Sequence, residues 1–231
     1  MPLRFSACPM NLALVLAFLR DLAAHNHKAW MDEHRPRYYA ARTEYTALVA
    51  ELLRLAAADL EPGLRGLRPA DLMFRINKND RSQLDPEPYK RNMGAGFKPG
   101  GRHSARAGYF VAVQPGGGTY VGAGYRRPAP EELARIRQEI HYSGPTFHAL
   151  RQNATLLHHF PAGLDQSQAL RTAPKGYLRT DPDIEWLRLK SFFVWQHFPD
   201  ADVVRPDFAA RVLEAWQAAR PLVAFLNHAL E

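Results

Sequence analysis

Apolar residues recur every three or four positions along the first sixty residues of the chain. Leu12, Val15, Leu16, Leu19 and Leu22 share one face behind Asn11, whose side chain suits a helix N-cap. They predict a first helix that ends near His25 and Asn26. A second helical start stands at Lys28-Ala29-Trp30-Met31. Pro36 then opens a long helix to about Leu60, with Tyr38, Ala41, Tyr45, Leu48, Leu52 and Leu55 on its apolar side. Glu61-Pro62-Gly63 stops it.

After that the period shortens. Residues 73–76 read as a short strand. Residues 108–114 and 119–124, rich in aromatic and β-branched side chains, flank Pro115-Gly116-Gly117-Gly118 and predict a β-hairpin. A helix follows over about 131–142, with Glu131 and Glu132 in the first turn where the dipole favours acids, and a shorter one over 146–152. Residues 153–180 are weakly patterned. Asp181-Pro182-Asp183 starts a helix toward Trp186 and Leu189, and 191–198 read as a buried strand. Two helices, 206–219 and 221–230, close the chain. Long helices at both ends and strands between them predict a single α+β domain over residues 1–231, its antiparallel sheet containing a β-hairpin and packed by those helices, with residues 1–10 a mobile end.

One stretch breaks the pattern. Residues 73–101, MFRINKNDRSQLDPEPYKRNMGAGFKPGG, are polar and carry Pro86, Pro88 and several glycines. They read as a long loop pinned by Tyr89 and Phe97, and loops of that length inside a domain tend to be functional. Its cations suggest the rim of a site for a phosphate- or carboxylate-bearing ligand. Arg75, Lys78, Arg81 and Lys90 are candidates to hold the anion, Arg as a planar fork and Lys as a point charge. Lys175, in a Pro-Lys-Gly turn, is the candidate to close from the other side, Asp85 to orient a cation and Tyr89 to pack on the ligand. Surface pairing of the same cations with Asp80, Asp85 and Glu87 is the competing reading, and both stay open on spacing alone.

Composition narrows the classes. Of 231 residues, 46% are hydrophobic and 23% charged, and no apolar run approaches the ~18 residues of a membrane span. The opening apolar stretch lacks a basic leader segment, so a cytoplasmic protein without a membrane partner is expected. The single cysteine, Cys8, excludes an internal disulfide. A net charge of +7 invites nucleic acid as a partner, but 24 of the 30 basic residues are Arg amid abundant Ala, Pro and Gly, the signature of a GC-rich coding sequence. Nucleic-acid binding is therefore the second reading and a protein-interaction scaffold the third. Neither His25, His27 and His34 nor His158-His159 has metal-site spacing, no Walker or dinucleotide glycine pattern exists, and no nucleophile motif surrounds Ser82 or Ser104. No metal or cofactor is predicted, and whether the chain is an enzyme stays undecided.

From Leu12 to Leu230 the chain resembles the DUF2461 family of conserved uncharacterised proteins. The similarity rests on FLRDLAAHNHKAWMDEHRPRYY, RINKNDRSQLDPEPYKRN, the hairpin GYFVAV with YVGAGYRRP, then APKGYLRTDP, RLKSF and RPLVAFLN, in that order. The resemblance implies no established activity. It does mark departures: the family's first central acid is Asn79 here, its Phe-Ser pair is Ser82-Gln83, and the Lys after Asp85 is Pro86. An amide cannot act as a general base, so acid–base work by that position is lost or moved to Asp80. What survives of the motif is mainly cationic.

Overall fold

The computed structural model describes residues 10–78 and 87–231. The chain begins with α1 (Leu12–Ala24), capped by the Asn11 side chain, which accepts from the Leu14 amide at 3.2 Å. Then come α2 (Lys28–Glu33), the long α3 (Arg35–Asp59) with proline in its first turn, and α4 (Pro69–Leu72). Three strands follow, β1 (Met93–Phe97), β2 (Gly108–Val113) and β3 (Thr119–Tyr125). Helices α5 (Pro130–Tyr142), α6 (Gly144–Arg151), α7 (Ala154–His159) and α8 (Ile184–Leu187) lead to β4 (Phe192–Phe198). Helices α9 (Asp200–Val203) and α10 (Phe208–His228) end the chain.

The strands form one antiparallel sheet in the order β1-β2-β3-β4, so each pairs with its neighbour in sequence. Strand alternation sends Ala95, Phe97, Tyr109, Val111, Val121, Ala123, Val194 and Phe198 into the core. On that face lies α10, whose Trp216 is fully buried, with ring centroids 4.7 Å from Phe97 and 5.6 Å from Tyr109. Truncating such a side chain costs about 3–5 kcal/mol. Helix α3 packs between α1 and the β1 end of the sheet, and its buried Tyr45 donates to the Val111 carbonyl at 3.3 Å. The other sheet face carries Gly94, Gly96, Phe110, Tyr120, Gly122, Phe193 and Trp195.

The α+β class, the antiparallel sheet, its hairpin and the long terminal helices are as the pattern predicts. Three elements differ. Residues 73–76 are not a strand: Met73 and Asn77 make isolated bridges to Ala95 and Tyr89. The glycine-containing end of the presumed loop is β1 itself. Its glycines hid it, because they lower β propensity, yet Met93, Ala95 and Phe97 supply the buried alternation. The two closing helices are one, running through Pro221; a proline removes one helical hydrogen bond, and the buried Ala219, Leu222, Val223 and Leu226 hold both sides in line.

Candidate functional site

The polar stretch after α4 folds back on itself. The Phe74 amide donates to the Gly94 carbonyl at 2.9 Å, Lys90 N–H to Ile76 at 2.8 Å, and Lys78 N–H to Pro88 at 2.9 Å. Pro88 thus serves as an acceptor where its missing N–H is not needed. Residues 73–78 and 87–92 form a ragged two-stranded arm that continues off the edge of β1. The Asn26 side chain pins it from the α1–α2 junction, accepting from Tyr89 N–H at 3.1 Å and donating to the Tyr89 carbonyl at 2.9 Å. The amide thereby satisfies both backbone groups of one residue.

Between this arm, α3 and α4 lies a cleft of about 620 Å³, within the usual size for a small-ligand site. Its lining includes Tyr38 and Arg42 from α3, Phe74 and Arg75 from the arm, Lys90, and Arg102 with His103 from the turn after β1. No carboxylate is present among the described lining residues. Lys90 donates from Nζ to the Arg75 carbonyl at 2.8 Å and lies 5.8 Å from the Phe74 ring centroid. Burial, and then the Arg75 guanidinium, hold its pKa below the ordinary lysine value. Arg42 makes no ion pair among the described residues. Burial pushes the half-buried Tyr38 hydroxyl up, against the opposing pull of Arg42, so it stays a protonated donor at neutral pH.

Arg102 reaches the cleft because of a glycine. Gly101 adopts φ of 90°, and a Cβ there would sit 3.1 Å from the Asp71 carbonyl oxygen. This close approach lets Arg102 donate from its amide to Asp71 at 3.1 Å and from its guanidinium to Ala70 at 2.8 Å. The acids nearby are engaged elsewhere: Asp71 accepts from the Arg68 amide at 2.9 Å, and Glu87 accepts from Arg91 Nε at 2.9 Å with Lys78 Nζ 3.4 Å away.

Of the residues singled out in the sequence, Arg75 and Lys90 line the cleft. Lys78 lies beside it, against Glu87. Tyr89 is 7% exposed and belongs to the hydrophobic core, where Asn26 fixes its backbone. Lys175 is exposed in the turn before Tyr177, which packs on His141 of α5, and is not part of the lining. Arg81 and Asp85, like Asp80, lie outside the described residues. Sequence reasoning missed Arg42, Tyr38, Arg102 and His103. The i,i+4 spacing of Tyr38 and Arg42 put them on one helix face, but nothing local marked that face as facing a cleft.

The histidines near α2 have structural roles. His34 stacks on Trp30 with centroids 4.2 Å apart, and His27 Nδ1 caps the helix from the Trp30 amide at 3.3 Å. Among the described residues no group of three His, Cys, Asp or Glu side chains is placed to hold a metal ion, and no described helix is long and apolar enough to cross a membrane.

The model of the DUF2461 family, described as conserved hypothetical proteins, matches residues 14–225, and the chain belongs to that family. No curated protein and no solved structure is matched by it.

Proposed function

We propose that this DUF2461 member binds a small phosphate- or carboxylate-bearing ligand in the cleft between α3, α4 and the arm. The observation that carries the reading is the lining: Arg42, Lys90 and Arg102, with His103 beside them, gather around one cavity whose described lining has no carboxylate. Like charges brought together at the cost of mutual repulsion and burial are stabilised by an anion between them. Arg42 offers a bidentate fork, Lys90 a point charge steadied by the Arg75 carbonyl, and Arg102 a guanidinium oriented by Ala70. Tyr38 adds a neutral donor. Arg81 and Asp85 remain candidates on the sequence alone, and Lys78 is a flanking charge. If the ligand reacts here, what these residues supply is electrostatic stabilisation of developing negative charge.

The test is titration of the purified protein with inorganic phosphate, sulfate, acetate and succinate by calorimetry and thermal unfolding, at two salt concentrations. A binding anion raises the unfolding midpoint by mass action. Stabilisation of the parent but not of an Arg42→Ala/Lys90→Ala variant supports the cleft. A shallow dependence on salt fits one small anion, whereas a steep log–log slope with an oligonucleotide is the mark of the nucleic-acid reading. No shift with any anion sinks the proposal.

A further inference from the structure

A second, smaller cavity of about 170 Å³ opens on the solvent-side face of the sheet, lined by Phe74, Lys90, Asn92, Gly94, Phe110 and Tyr120 among others. It shares Phe74 and Lys90 with the cationic cleft, so the two are neighbours around one pair of side chains. Its character is different: three aromatic rings form the walls. Asn92 donates its amide to Gln114 at 3.2 Å, which leaves its carbonyl as an acceptor at the rim.

The recess exists because one residue has no side chain. In register, Gly94 pairs with Ala112 and Ala112 with Tyr120, so this row of the outer face carries a hydrogen, a methyl and then a phenol. The fold does not demand glycine at 94. Its φ is not positive, and a Cβ there would make only ordinary contacts, 3.6 Å to Phe74, 3.7 Å to Ala112 and 3.8 Å to the Val111 carbonyl. The contrast lies two strands away. A Cβ at Gly122 would fall 2.4 Å from Phe193, and one at Gly124 2.1 Å from the Phe192 carbonyl, so packing requires those glycines. A strand glycine that packing does not require weakens the strand and leaves room on its face.

We infer that the ligand of the cationic cleft carries a planar aromatic ring beside its phosphate, and that the ring lies over Gly94 between Phe74, Phe110 and Tyr120. This rests on the anion reading of the cleft and adds the class of its ligand: an aryl or nucleobase phosphate. Phosphate is favoured over carboxylate because several cations converge, which a dianion matches better than a monoanion. Lys90 is the hinge of the arrangement, with its ammonium at the cleft and the Phe74 ring beneath it. Free nucleotides and the end of a single strand of nucleic acid present the same chemistry.

The experiment is calorimetric titration of the full-length protein with inorganic phosphate, uridine and adenosine monophosphates, the parent nucleosides, and an eight-residue oligothymidylate, at low and moderate salt. The mononucleotides should bind ~10-fold or more tighter than phosphate, the scale of one base stacked on aromatic side chains. Gly94→Val, which fills the recess, and Tyr120→Leu, which removes a wall, should erase that preference and leave phosphate affinity unchanged; thermal unfolding checks that each is folded. Equal affinity for phosphate and nucleotides, or a preference that survives in both variants, overturns the ring site while the cleft stands. Failure of phosphate and nucleotides alike removes the cleft and the ring site together. An oligonucleotide that binds tighter than the mononucleotides, and loses that gain in Gly94→Val and Tyr120→Leu, supports the ring site and identifies the source as a strand. A gain with a steep salt slope that survives both variants overturns the ring site, and an oligonucleotide that binds no tighter identifies a free nucleotide.

Discussion

Two polar clusters flank the sheet, and they treat charge differently. Beyond β4, between α5, α6 and α8, each of two buried carboxylates, Asp181 and Asp183, has a histidine partner. His148 Nε2 meets the buried Asp183 carboxylate, its Nδ1 accepts from Arg151 at 3.1 Å, and Arg151 stacks 4.3 Å from the Trp186 ring centroid. Because Arg151 can only donate, the ring proton belongs on Nε2, aimed at the carboxylate. His141 Nδ1 stands 2.9 Å from Asp181. At the other end of the sheet, beside β1, Arg42, Lys90 and Arg102 face a shared cavity, and carbonyls rather than carboxylates hold the last two. Satisfied charge of the first kind holds the fold together. Charge of the second kind adds little to it and is available to something that arrives.

The contrast can be broken by measurement. The largest effect is expected in the matched cluster. His148→Ala leaves a carboxylate that is 7% exposed without its hydrogen-bond donor, and should cost roughly 3 kcal/mol. For a chain of this size that lowers the unfolding midpoint by about 6–12 °C. Phosphate affinity should not change. If stability holds instead, the cluster is not structural and the comparison fails from that side.

Arg42→Ala probes the other side with the reverse signature. An exposed arginine with no ion pair among the described residues should change stability by at most about 0.5 kcal/mol. Loss of a charge-assisted contact should weaken phosphate binding ~10-fold or more. A large fall in midpoint with unchanged affinity would make Arg42 a structural residue and refute its role.

Gly101→Ala joins stability to the site. Positive φ alone costs an alanine about 1–2 kcal/mol, and Gly66, with φ of 82° and open space around its Cα, isolates that cost. Gly101→Ala should exceed Gly66→Ala because its Cβ meets the Asp71 carbonyl, and it alone should weaken anion binding by displacing Arg102. Equal losses would show that the close approach does not matter.

The smallest effect is one of pH. The pKa of Lys90 lies below 10.5, so its charge, and with it anion affinity, is lost at a lower pH than for an ordinary lysine. Lys90→Arg should bind similarly near neutrality and keep its affinity into the alkaline range. The linkage to stability has the opposite sense. The unfolded chain holds this proton more tightly, so the destabilisation caused by burying the charged lysine shrinks as pH rises from the folded pKa toward the unfolded one. Parallel pH profiles for the two proteins would dissociate Lys90 from the anion.

How far the sequence reached depended on distance along the chain. The helix over Tyr38, Ala41, Tyr45 and Leu48 and the hairpin around Pro115-Gly116-Gly117-Gly118 were legible, since periodicity and turn chemistry are local. Part of the candidate site was legible too: Arg75 and Lys90 stood out as cations in a stretch that could not be helix. Tyr89 was not. Flanked by Pro88 and Lys90 it reads as a loop residue, yet Asn26, 63 positions away, turns it into the core.

The sequence by itself determined the family, the α+β class, the helices and the hairpin, and the concentration of positive charge between residues 73 and 101. Tertiary structure alone decided which of those charges meet. It joined Arg42 from the exposed side of a long helix to Lys90 on an arm and Arg102 behind a glycine at positive φ, and it led Lys175 elsewhere. The reason is physical: a helix or turn is specified by residues within a few positions of one another, whereas a cleft is the space left when distant elements pack, and no short segment encodes it.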